Sequence, residues 1–277
     1  EKLAQASIDL HIIAAVRSEV LDGFGSLGQE VERVVHDRGV TLAWHFARRS
    51  LDHPLFKMLA RKIRVSESIR DASDESVILR YFPRHVKGEP IENYLLDRSF
   101  YKPRDLIWRL SIVQKQFPEE QMFSERVLVD TENEFSAVMW DEVKYELSAN
   151  YSKVEIDVIE TLLSGFKTEF VLEEITTRIE QLTKNSLHAR KFNEKHGLSD
   201  VLTDLYRLGA VGNFFREGIR SDQYRNRWAF RGDPTLLLHK RMTVNPSLMK
   251  RLSMVAPRPS RRAQQRKSRR DAALPST

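Results

Sequence analysis

The chain has 277 residues, 41% of them apolar, which is enough for one or two ordinary hydrophobic cores. It has no cysteine, which excludes disulfides and thiolate-bound zinc and points to a reducing, cytoplasmic setting. The net charge of +6 is concentrated at one end: residues 255–277 hold seven Lys/Arg and one Asp, so residues 1–254 are electrically balanced.

In chain order, "IDLHIIAAV" (8–16) is an apolar, β-branched run ended by Arg17, Ser18 and Glu19, which predicts a buried strand with a polar C-terminal edge. Residues 29–38 predict a short helix and "GVTLAW" (39–44) a second strand. "PLFKMLARKI" (54–63) predicts a helix opened by Pro54. From about residue 90 the pattern is helical: 90–98, 103–116, 121–149 with a break near Asp130, and 152–165. The longest apolar runs, "IIAAV" and "TLLLH" (235–239), fall far short of the roughly 20 residues needed to span a bilayer, so no membrane partner is expected.

In "KPRDLIWRL" (102–110) a cation, Arg104, stands in the first turn of a helix. Asp105 suits the positive end of the helix dipole; Arg104 gains nothing there. It either reaches into solvent or meets an anion supplied by another element.

Residues 152–252 predict a self-contained module. Ile156, Ile159, Leu162 and Leu163 share one helical face; Leu172, Ile175, Ile179 and Leu182 share another. A third helix, "LSDVLTDLYRLG" (198–209), has Ser199 as its expected N-cap and stops at Gly209. "AVGNFFREG" (210–218) and "NRWAFRGDP" (226–234) then read as two strands, with "LLLHKRM" and "PSLMKRL" closing the core. Three helices followed by a hairpin is the order of a winged helix. Beyond it, "VAPRPSRRAQQRKSRRDAALPST" lacks periodic apolar residues and is expected to be disordered.

The order "HIIAAVRSEV", "GVTLAWH", "PLFKMLARKI", "KPRDLIWRL" and a terminal winged helix resembles the C-terminal half of bacterial P-loop ATPases of the AAA+/STAND group, some associated with phage defence. The resemblance implies a mainly α chain with some β: the end of an α/β P-loop core (1–53), a helical lid (54–150), a winged-helix domain (151–254) and a basic tail (255–277). It implies nucleotide-sensing roles for Arg17 and Glu19 near the γ-phosphate and for Arg104 in the lid, with ATP and Mg as cofactors of a longer protein.

No G-x-x-x-x-G-K-[ST] occurs, and no apolar strand ends in paired acids. "DGFGSLGQE" (22–30) has no lysine, and the first residue is Glu rather than Met. The chain is thus expected to be a C-terminal fragment, inactive alone, whose partner is an ATPase core upstream in the same polypeptide, with a protein partner or a second copy also allowed. The alternative is a stand-alone winged-helix DNA-binding protein. It would use Arg216, Arg220, Arg225, Arg227 and Arg231 at the wing, and Arg261 and Arg262 in the tail, for non-specific phosphate contacts. Asp200 and Asp204 on the helix before the hairpin oppose base reading. No H-x-x-x-H or HExxH pair occurs, so no metal site is expected.

Overall fold

The computed structural model describes residues 14–16, 29–40, 42, 44, 50–216 and 224–256. They fall into two compact units, residues 1–43 and residues 44–277. The protein is mainly helical with small antiparallel sheets, in agreement with the expected class.

In the first unit, α1 (Gln29–Arg38) forms where expected, with Arg33 and Asp37 paired one turn apart at 3.6 Å. The expected strand at 8–16 lies mostly outside the described residues. Its end, Ala14–Val16, is exposed and carries no strand. The expected strand at 39–44 is likewise absent where described, with Val40 84% and Leu42 78% exposed. Apolar content alone does not make a strand; an edge must be paired, and among the described residues nothing pairs with either segment.

The second unit opens with α2 (Pro54–Glu67), Pro54 occupying its first position as expected. Next comes α3 (Asp74–Tyr81), which sequence reading missed although Ser73 caps it by accepting Ser76 N–H at 3.2 Å. The chain continues through a two-residue hairpin, β1 (His85–Val86) and β2 (Glu89–Pro90), then α4 (Ile91–Asp97), α5 (Pro103–Gln116), α6 (Glu125–Asp130) and α7 (Glu132–Leu147). The expected break near Asp130 is the α6–α7 joint.

A second group follows: α8 (Lys153–Leu163), β3 (Glu169–Phe170), α9 (Leu172–Asn185), α10 (Leu187–Lys195), α11 (Leu198–Arg207), β4 (Val211–Arg216), β5 (Tyr224–Arg227) and β6 (Met242–Val244). Its sheet runs β3-β6-β4-β5, all neighbours antiparallel. The sequence order of three helices and a hairpin is therefore incomplete: α10 is an additional helix, and β3 and β6 are additional strands. At two and three residues these strands are too short for alternation to reveal them. Helix α11 begins two residues earlier than expected, with Gly197 rather than Ser199 at the N-cap, and Leu198 already packs on the core.

The second expected strand, 226–234, ends early at Arg227. The buried Trp228 then carries the chain out of the sheet into a 3₁₀ turn, Ala229–Arg231. Gly209 allows this close approach: its φ is +80°, and a Cβ there would stand 2.7 Å from the Phe230 ring.

Two apolar clusters result. One joins α2 to α6 through Leu55, Phe56, Ile78, Leu95, Leu106 and Leu128; the other joins α7 to the C-terminal group through Trp140, Ile159, Phe170, Leu205, Val244 and Leu252. Leu236, Met242, Leu248 and Leu252 do close the second core. Among the described residues no helix is long and apolar enough to cross a membrane.

Candidate functional site

The first turn of α5 is built around two charges with different fates. Asp105, 1% exposed, accepts the Phe100 N–H at 2.8 Å and the Lys102 N–H at 3.3 Å, which satisfies donors that would otherwise be orphaned at the helix start. Burial pushes its carboxyl up, against the pull of those N–H groups and of Lys102 and Arg104.

Arg104 crosses to Glu142 of α7, forming an ion pair, and its guanidinium lies 5.2 Å from the Trp108 ring centre. Lys102 Nζ is 3.9 Å from the same Glu142 oxygen. The anion that the helix-dipole argument calls for is thus supplied within the chain. The geometry places two cations, each side chain 40% exposed, around one carboxylate that is 14% exposed.

The other expected site residues are dispersed. Arg227 donates to Asp233 at 3.1 Å. Arg231 pairs with Asp97 at 3.4 Å, donates to the Tyr101 hydroxyl at 2.8 Å and lies 4.8 Å from that ring. Arg227 and Arg231 are therefore engaged inside the fold. Arg216 and Arg225 occupy strand positions on β4 and β5, opposite Tyr224 and Phe215. Arg17, Glu19, Arg220, Arg261 and Arg262 lie outside the described residues.

Sequence reading missed the buried polar network beneath α5. Arg109, 3% exposed, donates to the carbonyls of Leu128 and Thr131 at the end of α6, and to the Tyr94 hydroxyl at 3.1 Å. Tyr94 in turn donates to Glu132 at 2.9 Å; Glu132 also takes Lys87 at 2.7 Å, with Arg98 and Lys250 each at 3.9 Å. Burial would raise the Glu132 carboxyl, but bonds from Lys87 and Tyr94 and the charges of Lys87 and Arg98 outweigh it and hold it low. Burial pushes the Tyr94 hydroxyl well above its usual range. The sequence did carry a signal for Arg109, which falls on the apolar face of α5 between Leu106 and Leu110. The seam beside it, lined by Leu95, Asp105 and Phe135, is too tight to hold a ligand. Among the described residues no three His, Asp or Glu side chains are placed to hold a metal.

His53 is 2% exposed, with its ring 5.6 Å from that of Tyr101. Its Nδ1 accepts the Leu55 N–H at 3.2 Å and so caps α2. Burial lowers its pKa from 6.5; a backbone contact with Trp44 opposes this, and the Arg231 charge adds to it. A lowered histidine contributes stability that is complete above about pH 6.5 and lost as pH falls, because protonation forfeits the cap and adds a cation at a helix N-terminus. Thermal melting from pH 7.5 to 5 should show this loss. His53→Asn keeps a cap acceptor that does not titrate, and should flatten the dependence; an unchanged slope would clear His53.

Residues 53–144 match the family model described as the FunZ-associated C-terminal helical domain. No curated protein and no solved structure matches the chain. The stretch from the His53 cap of α2 to within α7, which holds Arg104, Arg109, Glu132 and Glu142, is therefore similar to the FunZ-associated C-terminal helical domain.

Proposed function

We propose that this chain is a C-terminal regulatory region of a P-loop ATPase of the AAA+/STAND type, cytoplasmic and serving prokaryotic defence or signalling. In this reading α2–α7 act as a lid and the β3–β6 group as a winged-helix module, while ATP and Mg are held by a core upstream in the same polypeptide. The observation that carries it is the Arg104–Glu142 pair: a bidentate donor at the start of a helix, part-exposed, and held by a carboxylate that a phosphate can replace. The coarser part of the reading is supported independently by the match to a C-terminal helical domain.

The mechanism is an exchange of anions. With nucleotide absent, Glu142 holds Arg104. Were ATP held by the core, Arg104 would be the residue that leaves Glu142 to pair with the γ-phosphate, which would couple the position of α5 to that phosphate. Arg17 and Glu19 would serve the same phosphate.

The chain carries no phosphate loop, so purified 1–277 should show no magnesium-dependent ATP turnover above background. Turnover that Arg17→Ala abolishes would place a complete nucleotide site in this chain and overturn the assignment.

A further inference from the structure

Among the described residues of the second unit, most cations face an acid: Arg64 with Asp74, Arg84 with Glu75, Arg98 with Glu89, Arg126 with Glu120, Lys144 with Asp141, Lys167 with Glu174, Arg251 with Glu160. The stretch from the end of α9 into α10 is one of several places where exposed cations have no such acid among the described residues, as Arg61 and Lys62 have none on α2. Lys184, Arg190 and Lys191 are exposed, and no ion pair with another described residue holds them; Arg190 donates to the Thr183 carbonyl at 3.5 Å. His188 is exposed beside them. The nearby carboxylate Glu155 is already taken by Lys195 at 2.7 Å and His196 at 2.8 Å, and these bonds hold it far below its usual range. Glu194 is the single acid of α10.

The helix presenting these cations is firmly seated. Ala189 and Phe192 are each 3% exposed, Phe192 lies against Tyr151 and His196, and Ser186 caps the helix by accepting the Ala189 N–H at 3.2 Å.

We propose that the outer face of α10, with Lys184 at the end of α9, is a docking surface for the phosphate backbone of duplex nucleic acid, bound without base reading. The adjacent α11 does not suit that role, because Asp200 is exposed, and Asp204 is held by the Tyr151 hydroxyl at 2.7 Å and by Arg207. Both carboxylates would repel phosphate. On α10 the exposed charges without an ion pair among the described residues are Arg190, Lys191 and Glu194, so that with Lys184 cations outnumber the acid, and flexible cations meet a regularly charged backbone without needing a shaped groove. A protein interface of ordinary size needs an apolar or aromatic centre. Here α10 exposes one large apolar side chain, Leu187 at 59%. The +6 of residues 255–277 adds attraction without fixing a location.

The test uses the full chain and a fluorescent 20-base-pair duplex of arbitrary sequence, titrated between 50 and 200 mM salt, without ATP. The triple variant Lys184→Glu, Arg190→Glu, Lys191→Glu should bind more weakly, and its salt slope should be shallower by about 2–3, near 0.9 for each phosphate no longer neutralised. The triple Gln variant should move the slope in the same direction, so a misfolded Glu variant does not end the test. Slopes equal to wild type overturn the proposal, as does a wild-type chain that ignores the duplex. Polyglutamate bound as tightly at the same salt would reassign the face to acidic polymers. Because nucleotide is absent, none of these outcomes bears on the Arg104 exchange.

Discussion

Arg109→Ala should destabilise the fold by about 3–5 kcal/mol, the range for breaking one side of a buried charged network. The side chain satisfies two carbonyls where α6 ends and a tyrosine hydroxyl that is itself bonded to Glu132. Its guanidinium also lies 5.0 Å from the Phe135 ring centre, so truncation opens a gap against α7. Burial lowers its pKa, with Tyr94 and Glu132 opposing, which is the signature of a charge kept in place by its partners. Arg109→Met fills more of the volume and removes the cost of burying a charge, while still leaving the carbonyls unpaired, and should cost roughly 1–3 kcal/mol. Chemical denaturation of the three proteins measures both. An alanine variant within about 1 kcal/mol of wild type would mean that the α5–α6 junction does not depend on this network.

Arg104→Ala should do the opposite: little to stability and much to nucleotide response. A part-exposed ion pair contributes at most about 1 kcal/mol, so melting should hardly move. In the longer polypeptide that the proposed function requires, single-turnover ATP hydrolysis or the nucleotide-driven change should fall some 10- to 100-fold, equivalent to roughly 1.5–3 kcal/mol for a charge-assisted phosphate contact. Arg104→Lys should recover part of this, since a point charge lacks the bidentate fork. Glu142→Gln should favour the nucleotide-bound position by weakening the competing anion. An Arg104→Ala protein that hydrolyses normally, or one that melts much earlier, would make the pair a structural link between α5 and α7.

Between them the two arginines show what local rules reveal and what they hide. Arg104 is conspicuous because it contradicts the local rule for a helix N-terminus, and the fold answers with a carboxylate 38 residues away. Arg109 obeys no local rule either, but five residues further on it sits among leucines, where an arginine is read as a break in a pattern rather than the centre of a network. Its partners, Tyr94, Leu128 and Thr131, come from two other helices and an inter-helix joint, and no spacing along α5 encodes them. The arginines after α11 stand out in the sequence by their charge. Arg227 and Arg231 instead serve Asp233, Asp97 and Tyr101, contacts created by the turn after Trp228.

The sequence by itself determined the long helices. The faces of α8, the start of α2 at Pro54, the span of α5 and the end of α11 at Gly209 depend on periods, caps and breakers within a few residues, which act whatever the rest of the chain does. Tertiary structure alone decided the short strands and the partners of buried charge. Strands of two or three residues, such as β3 and β6, have no stability or pattern of their own, and form only where a neighbour supplies the hydrogen bonds. In the same way the charge on a side chain states that it needs a partner, and only the packed fold decides whether that partner is inside, as for Arg109, or absent among the described residues, as on the outer face of α10.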